Sequence, residues 1–451
     1  MFTVFLQFTN TIYYIISLCS LSTDKRYQNL IFIKVAFIEH CGTIKNVVSK
    51  FYSGKVLILK GLFRPLISVV LALTLIFAVA TPSYALFTPS ITLKFNENGK
   101  FKIVQFADCQ DDALPRKAMI DMMGAALDSE KPDLVVFTGD NITGGGSHGK
   151  ILTNAAIKAV LRPVVSRGIP FAVVFGNHDG ESGVSKEDQL KMYQKIKGCL
   201  AYDAVPAIYG CANYNLPIKS SNSSKDAFNL WLFDSNDYDR VNGGYDWVHD
   251  DQVQWYKDTS LALEKSNGAL VPSLAFQHIC APETYELLKQ VPKDTAGSNN
   301  RFGKTFSLEL DSSLAHGLLG EWPCPSDTVS TQFQAFVDRG DVLGLVSGHD
   351  HINDFIGTYK GIDIIQTPGA GFQTYHDRAV VGCRVIILDE KDAWNYQTYT
   401  PCFNDYFGTG AYSDFKYTFS GSEFAAFLPF ADDLVFTVIN FYNKLVHAIG
   451  S

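Results

Sequence analysis

From Lys102 onward, short apolar runs alternate with stretches of helical periodicity. Lys102 to Ala107 predicts a buried strand that ends at Asp108. Pro115 opens a helix with Met119, Met122, Met123, Ala126 and Leu127 on one face, a stripe that reads as plain core. Asp133 to Thr138 predicts a strand, Ile151 to Ser166 a helix, and Phe171 to Phe175 a strand. This β-α-β-α-β order implies a layered α/β architecture. Lys186 to Lys197 reads as a helix with Ser185 as its N-cap. Asn229 to Phe233 is a strand, Asp250 to Leu263 a helix, and Val271 to Phe276 a strand. Residues 292–325 mix loops and short elements. Ser330 to Arg339 is a helix and Val342 to Val346 a strand; Ile356–Tyr359, Ile362–Thr367 and Cys383–Leu388 follow as antiparallel strands with tight turns.

Four patches at strand ends carry the chemistry: Gly139-Asp140-Asn141, Gly176-Asn177-His178-Asp179, His278, and Gly348-His349-Asp350-His351. With Asp108 they supply carboxylate, amide and imidazole donors. The C-terminal ends of strands in a layered α/β fold converge on one edge, where ligands bind. Singly, such pairs are turn punctuation, and a lone His such as His278 is more often an interior residue. In order, each after a strand, they read as a two-metal centre. Hard oxygens mixed with imidazole suit Mn, Fe or Zn. Two such ions can clamp a phosphoryl group and generate hydroxide between them. Asp140 can bridge both ions through its two oxygens. Asp108 and His351 can complete one ion, and Asn177, His278 and His349 the other. His178 lies between Asn177 and Asp179, and a carboxylate beside an imidazole favours its protonated form. That makes His178, oriented by Asp179, the candidate for binding a phosphoryl oxygen or protonating the leaving group. His376 is a candidate for the rim of the site; His40, His148, His249, His316 and His447 read as surface or packing residues.

These residues resemble the calcineurin-like metallophosphoesterases, whose motifs run D-x-H, GD, GNH[DE], a lone H and GHxH. The resemblance covers about residues 100–390. Gly348-His349-Asp350-His351-Ile352-Asn353-Asp354 and Phe276-Gln277-His278-Ile279 look like the purple-acid-phosphatase-related branch. The resemblance implies a two-sheet αββα sandwich with a dimetal site at strand C-terminal ends, and phosphoester hydrolysis. By position it implies Asp108, Asp140 and His351 at a first metal, Asp140, Asn177, His278 and His349 at a second, and His178 facing the substrate. One departure stands out. Gln110 occupies the place of the histidine in D-x-H, so Gln110 is carried as a candidate ligand through its carbonyl oxygen, a weaker donor than imidazole. Thr143 stands where purple acid phosphatases have a Tyr, so the colour of an Fe(III)–tyrosinate is not expected.

Charge and composition narrow the partners. Of the 38 basic and 46 acidic residues, 30 and 44 fall in residues 86–451, a net −14 for that part. With no basic stripe there, tight binding to a nucleic acid backbone is not expected. Hydrophobic residues make up 47% of the chain, enough for a large core. Leu66 to Ala80 is apolar apart from Ser68 and Thr74, follows Lys60 and Arg64, and precedes Ser83-Tyr84-Ala85. Residues 55–85 therefore read as a secretory signal peptide cleaved after Ala85, with a membrane anchor as the alternative. Residues 1–54 precede that signal; either translation starts near Lys55–Leu59 or they form a membrane-associated leader. Export makes disulfides possible, and Cys199–Cys211 is the best local pair, with Cys324–Cys402 a second. The catalytic domain spans about residues 98–400. Residues 401–451 form an extension in which 424–448 suit an amphipathic helix.

The expected protein is thus a secreted, periplasmic or extracellular phosphoesterase with two divalent or trivalent ions (Mn, Fe or Zn). Its substrate is a small phosphorylated molecule or a phosphoprotein. Any membrane contact would run through the N-terminal segment. Phosphomonoesterase activity comes first, phosphodiesterase or nucleotide hydrolase second. The rival is a catalytically impaired metal-binding module that has lost one ion through Gln110. Substrate selection is expected in loops 141–150, 179–185, 212–228 and 369–378.

Overall fold

A computed structural model describes residues 91–145, 148–410 and Tyr417. The leader, the signal segment and the amphipathic stretch 424–448 lie outside the described residues. No helix among the described residues is long and apolar enough to cross a membrane.

Two sheets make the frame. One has five strands in the order β16-β15-β2-β3-β4, with β2 Lys100–Phe106, β3 Leu134–Thr138, β4 Phe171–Val174, β15 Arg384–Asp389 and β16 Tyr396–Tyr399. The other has eight in the order β1-β5-β6-β7-β12-β14-β13-β11. Its members are β1 Leu93–Lys94, β5 Tyr214–Lys219, β6 Asp226–Leu232, β7 Ser273–Phe276, β11 Ala315–Leu318, β12 Val342–Ser347, β13 Asp354–Tyr359 and β14 Ile362–Gln366. Strands β2, β3 and β4 are parallel, as are β6, β7 and β12. β3, β4 and β7 are almost wholly apolar and buried, as strands covered on two faces tend to be, and the polar Gln105 of β2 and Asn229 of β6 are buried among them. A small third sheet pairs β10 Phe306–Leu310 with β9 Asn299–Asn300 and with β8 Leu288–Pro292, so part of the 292–325 region of loops and short elements is strand.

Helices α1 (Lys117–Glu130) and α2 (Gly149–Val165) cover the five-stranded sheet, and the stripe Met119, Met122, Met123, Ala126 and Leu127 is wholly buried there. α3 (Lys186–Tyr193) is capped by Ser185, whose hydroxyl accepts from Asp188 N at 3.3 Å. α4 (Asp250–Asn267) and α5 (Gln332–Arg339) cover the eight-stranded sheet. Trp231 of β6 packs edge-on against Trp255 and Tyr256 of α4, and Tyr256 against Phe336 of α5. The result is the expected αββα sandwich. α6 (Phe403–Phe407) closes the C-terminal side.

A buried polar chain ties the two sheets together below the strand ends. Gln105 of β2 donates to Thr138 of β3 at 2.8 Å and accepts from Thr367, just past β14, at 2.7 Å. Arg384 of β15 donates to Thr367 at 2.9 Å and to Asp354 of β13 at 2.6 Å. Such groups tolerate burial only because each finds a partner, and together they fix how the sheets face one another.

Two expectations are corrected. All seven cysteines in the described residues are free thiols. Cys199 stands beside β4, bridged to Phe171, whereas Cys211 donates its N–H to Asp234 past the end of β6, so the two belong to different sheets. The segment 212–228 is not a loop over the site. Most of it is the β5–β6 hairpin, whose turn contacts Glu390 at the start-of-β2 edge, opposite the parallel strand ends.

Candidate metal centre

The chain leaves each of β2, β3, β4, β7 and β12 at its C-terminal end and delivers, in turn, Asp108, Asp140, Asn177, His278 and His349. Three come from one sheet and two from the other, so the cluster sits in the crevice between the sheet edges. The turns are tight. Asp108, Gln110, Asp140 and His349 have φ of 49°, 37°, 47° and 75°. Non-glycine residues held there store on the order of 1–3 kcal/mol each, a cost typical of functional sites. The preceding glycines are steric necessities: a Cβ on Gly176 would lie 2.2 Å from Asp140 Oδ1, and one on Gly348 2.6 Å from Asp108 Oδ2.

Asp140, His278 and His349 bring one ligand atom each within 4.8 Å of one another. His278 Nε2 is 3.2 Å from Asp140 Oδ2, 3.2 Å from Asn177 Oδ1, 3.3 Å from His349 Nδ1 and 3.9 Å from Asp108 Oδ1. His351 Nε2 is 3.5 Å from Asp108 Oδ1, which has no hydrogen-bond partner although buried. The outer nitrogens are tied down: His278 Nδ1 to Thr138 O at 2.9 Å and His351 Nδ1 to Tyr375 O at 2.9 Å. Both imidazoles therefore keep Nε2 for the centre.

The electrostatics of the cluster favour positive charge beside its carboxylates. Burial alone would push His278 down, but the Asp140 and Asp108 carboxylates outweigh it and raise His278 to about 10. Burial pushes Asp140 up, and the His278 charge overcomes this and holds it below the ordinary carboxylate range. His349, buried beside that charge, falls to about 3. An orphaned carboxylate oxygen, converging imidazole nitrogens and an amide oxygen suit a borderline-hard cation.

Gln110 is at the site but does not turn its oxygen inward. Its amide Nε2 donates to Asp140 Oδ2 at 3.1 Å, and its Oε1 accepts from Thr374 Oγ1 at 2.8 Å. The carboxylate can only accept, so it selects the amide nitrogen.

Asp179 does not orient His178. Its carboxylate accepts from the backbone N–H of Asn141, Ile142 and Gly176 at 3.0, 3.2 and 2.8 Å, and from Asn141 Nδ2 at 3.3 Å. It pins the GD turn to the GNH turn. A 3₁₀ turn at Asp179–Ser182 instead brings Glu181 back, and His178 Nδ1 meets Glu181 Oε2 at 2.9 Å. The separation of three residues in a turn was the available signal. Burial pulls His178 down, but Asp140 and Glu181 outweigh it and raise its pKa. His178 N also donates to Asp140 Oδ1 at 2.8 Å, and its side chain is 40% exposed, at the open face. His376 turns back onto Thr374 O at 2.8 Å, away from the cluster.

Three tyrosines were not foreseen. Tyr238 and Tyr245 lie on the loop after β6, and Tyr245 packs edge-on against His349 with centroids 4.4 Å apart. Tyr375 stacks face to face on His351 at 4.1 Å, and its hydroxyl donates to Glu321 at 3.1 Å. No motif in the sequence announces these rings; only folding brings them to the site.

A donor cluster of this composition, in the crevice at the C-terminal strand ends of a two-sheet sandwich, can hold a metal ion. The chain belongs to the calcineurin-like phosphoesterase family, whose profile matches residues 101–353. It falls in the purple-acid-phosphatase-related branch. It is 31% identical over 321 residues to "Probable inactive purple acid phosphatase 14" of Arabidopsis thaliana, covering 63% of this chain and 73% of that protein. It is 31% identical over 332 residues to "Probable inactive purple acid phosphatase 29" of the same plant, covering 66% and 79%. It is 30% identical over 286 residues to "Phosphatase DCR2" of Saccharomyces cerevisiae, covering 58% of this chain and 46% of that protein. The family is one of dimetal-dependent hydrolases, and the cluster can hold a metal.

Proposed function

We propose that the protein is a metal-dependent phosphomonoesterase. The observation that carries this reading is the convergence of Asp108, Asp140, Asn177, His278, His349 and His351, with the exposed His178 at the open face. Asp108, Asp140 and His351 would hold one ion and Asp140, Asn177, His278 and His349 another; when bound, such ions supply Lewis acidity toward a phosphoryl oxygen and a nucleophile at neutral pH. The chain's own residues do the rest. Glu181 takes His178 Nδ1, which leaves Nε2 to meet a phosphoryl oxygen or the leaving oxygen. Glu181 and Asp140 favour the protonated form of that imidazole, which can neutralise charge and give up a proton as the ester bond breaks. Asp179 holds the two turns that carry Asp140 and Asn177.

The substrate reading is a small phosphorylated molecule or a phosphoprotein. We read the domain as exported, on the strength of the segment from Leu66 to Ala85 alone; N-terminal sequencing of the natural protein tests that. A second reading, a metal-binding module with impaired turnover, is favoured by Gln110 and by the word "inactive" in two relatives' names. One experiment separates them: metal content and aryl-phosphate turnover measured on the same sample of the full chain. The enzyme reading expects both. Asp140→Asn should abolish turnover, and activity within about tenfold of wild type, roughly 1.4 kcal/mol of barrier, refutes the bridging role. His178→Ala should lower kcat by about 10²–10⁴-fold with metal content intact. Metal bound to the wild type without turnover favours the second reading.

A further inference from the structure

We propose that Tyr238 is a positioning residue of the metal centre, whose hydroxyl dictates which end of the Asn177 side chain faces the ions. This rests on the reading of Asn177 as a ligand. An asparagine amide has two ends of nearly equal shape, and only the oxygen can bind a cation. Something must choose between them.

The choice is made by a directional chain of hydrogen bonds. Glu181 has two acceptor oxygens. One takes His178 Nδ1 at 2.9 Å and the other takes the Tyr238 hydroxyl at 3.1 Å. The phenol hydrogen is thereby committed to Glu181, and Tyr238 has only a lone pair left for its other neighbour. That neighbour is Asn177, and the only end able to answer a lone pair is its NH2: Asn177 Nδ2 donates to Tyr238 Oη at 2.9 Å. The Asn177 oxygen is then forced inward, where it lies 3.2 Å from His278 Nε2. A single carboxylate thus sets both residues of the Asn177-His178 pair, one directly and one through the phenol. Tyr238 itself is held by a β-bridge to Tyr245, whose ring stacks on it at 5.8 Å and packs on His349. The loop after β6 of the eight-stranded sheet therefore orients a side chain delivered by the five-stranded sheet.

Groups that orient a ligand without touching the metal are each worth about 10–100-fold in metal affinity. The test is calorimetric titration of Mn2+ into the metal-free full chain, for wild type, Tyr238→Phe, Asn177→Asp and the double variant. Phe keeps the ring on Tyr245, so the unfolding midpoint of the metal-free form should not move. Tyr238→Phe should weaken one ion by about 10–100-fold. In the Asn177→Asp background the same change should cost little, because a carboxylate presents two equivalent oxygens and needs no choice. An unchanged affinity in Tyr238→Phe, or an equal loss in both backgrounds, overturns the proposal and leaves Tyr238 as a packing contact. Asn177→Ala with both ions retained would sink the ligand reading beneath it. The readout is ion affinity, so a wild type that binds Mn2+ but hydrolyses no phosphoester removes the phosphatase reading and leaves this one standing.

Discussion

Gln110→His offers the sharpest probe of how this centre departs from the D-x-H motif. In the structure Gln110 gives an N–H to Asp140 Oδ2 at 3.1 Å. A hydrogen bond to a charged group is worth roughly 1.5–3 kcal/mol. A cation that uses that oxygen competes with this bond for its lone pairs. Histidine removes the competitor and adds an imidazole nitrogen, a better donor for Mn, Fe or Zn than an amide. At about 1.4 kcal/mol per decade, relief of that competition tightens the first ion by up to roughly 10- to 100-fold. The backbone favours the change as well: residue 110 has φ 37°, a region where His is enriched among non-glycine residues and Gln is not. The assay is metal content by plasma spectrometry at increasing chelator, read beside residual turnover. Wild type should lose one ion early and one late, whereas the variant should lose both late, its first midpoint shifted upward by one to two decades. Superimposable chelator curves would refute the reasoning, because they would mean that residue 110 neither competes for Asp140 nor reaches the metal.

Glu181→Gln should shift the alkaline limb of the kcat–pH profile to lower pH: His178 is raised in the folded protein, its protonated form persists below that raised value and is lost as pH passes through it, and removing the Glu181 charge lowers the point of loss. An unmoved limb would mean that another group titrates there. Gly176→Ala should cost the protein its metal and its turnover, because the new Cβ would lie 2.2 Å from Asp140 Oδ1; metal content equal to wild type would show that the GNH turn yields more easily than its packing suggests.

Periodicity alone placed much of the frame. The apolar runs ending at Asp108, Asp140, Asn177, His278 and His349 are β2, β3, β4, β7 and β12, and the Met119–Leu127 stripe faces the core of α1. These are local properties: strands buried on both faces must be apolar, and a residue that follows one is committed to the sheet edge. The glycines beside the candidate ligands were legible for the same reason, since a turn that tight excludes a Cβ. What the sequence could not determine was the partner of each group. Adjacency suggested Asp179 for His178, but in a 3₁₀ turn the neighbouring side chain points elsewhere and the residue three along returns, so Glu181 takes the imidazole. Gln110 could be named as a candidate but not oriented, because the direction of an amide is set by what surrounds it, here Asp140 on one side and Thr374 on the other. Tyr238, Tyr245 and Tyr375 carry no motif; their positions follow from where the β6 and β14 connections cross the sheet edge. The cysteine pair that looked closest in sequence, Cys199 and Cys211, was parted by the assignment of each to a different sheet. Sequence spacing determines which residues reach an edge; only the packing of two sheets decides which of them meet.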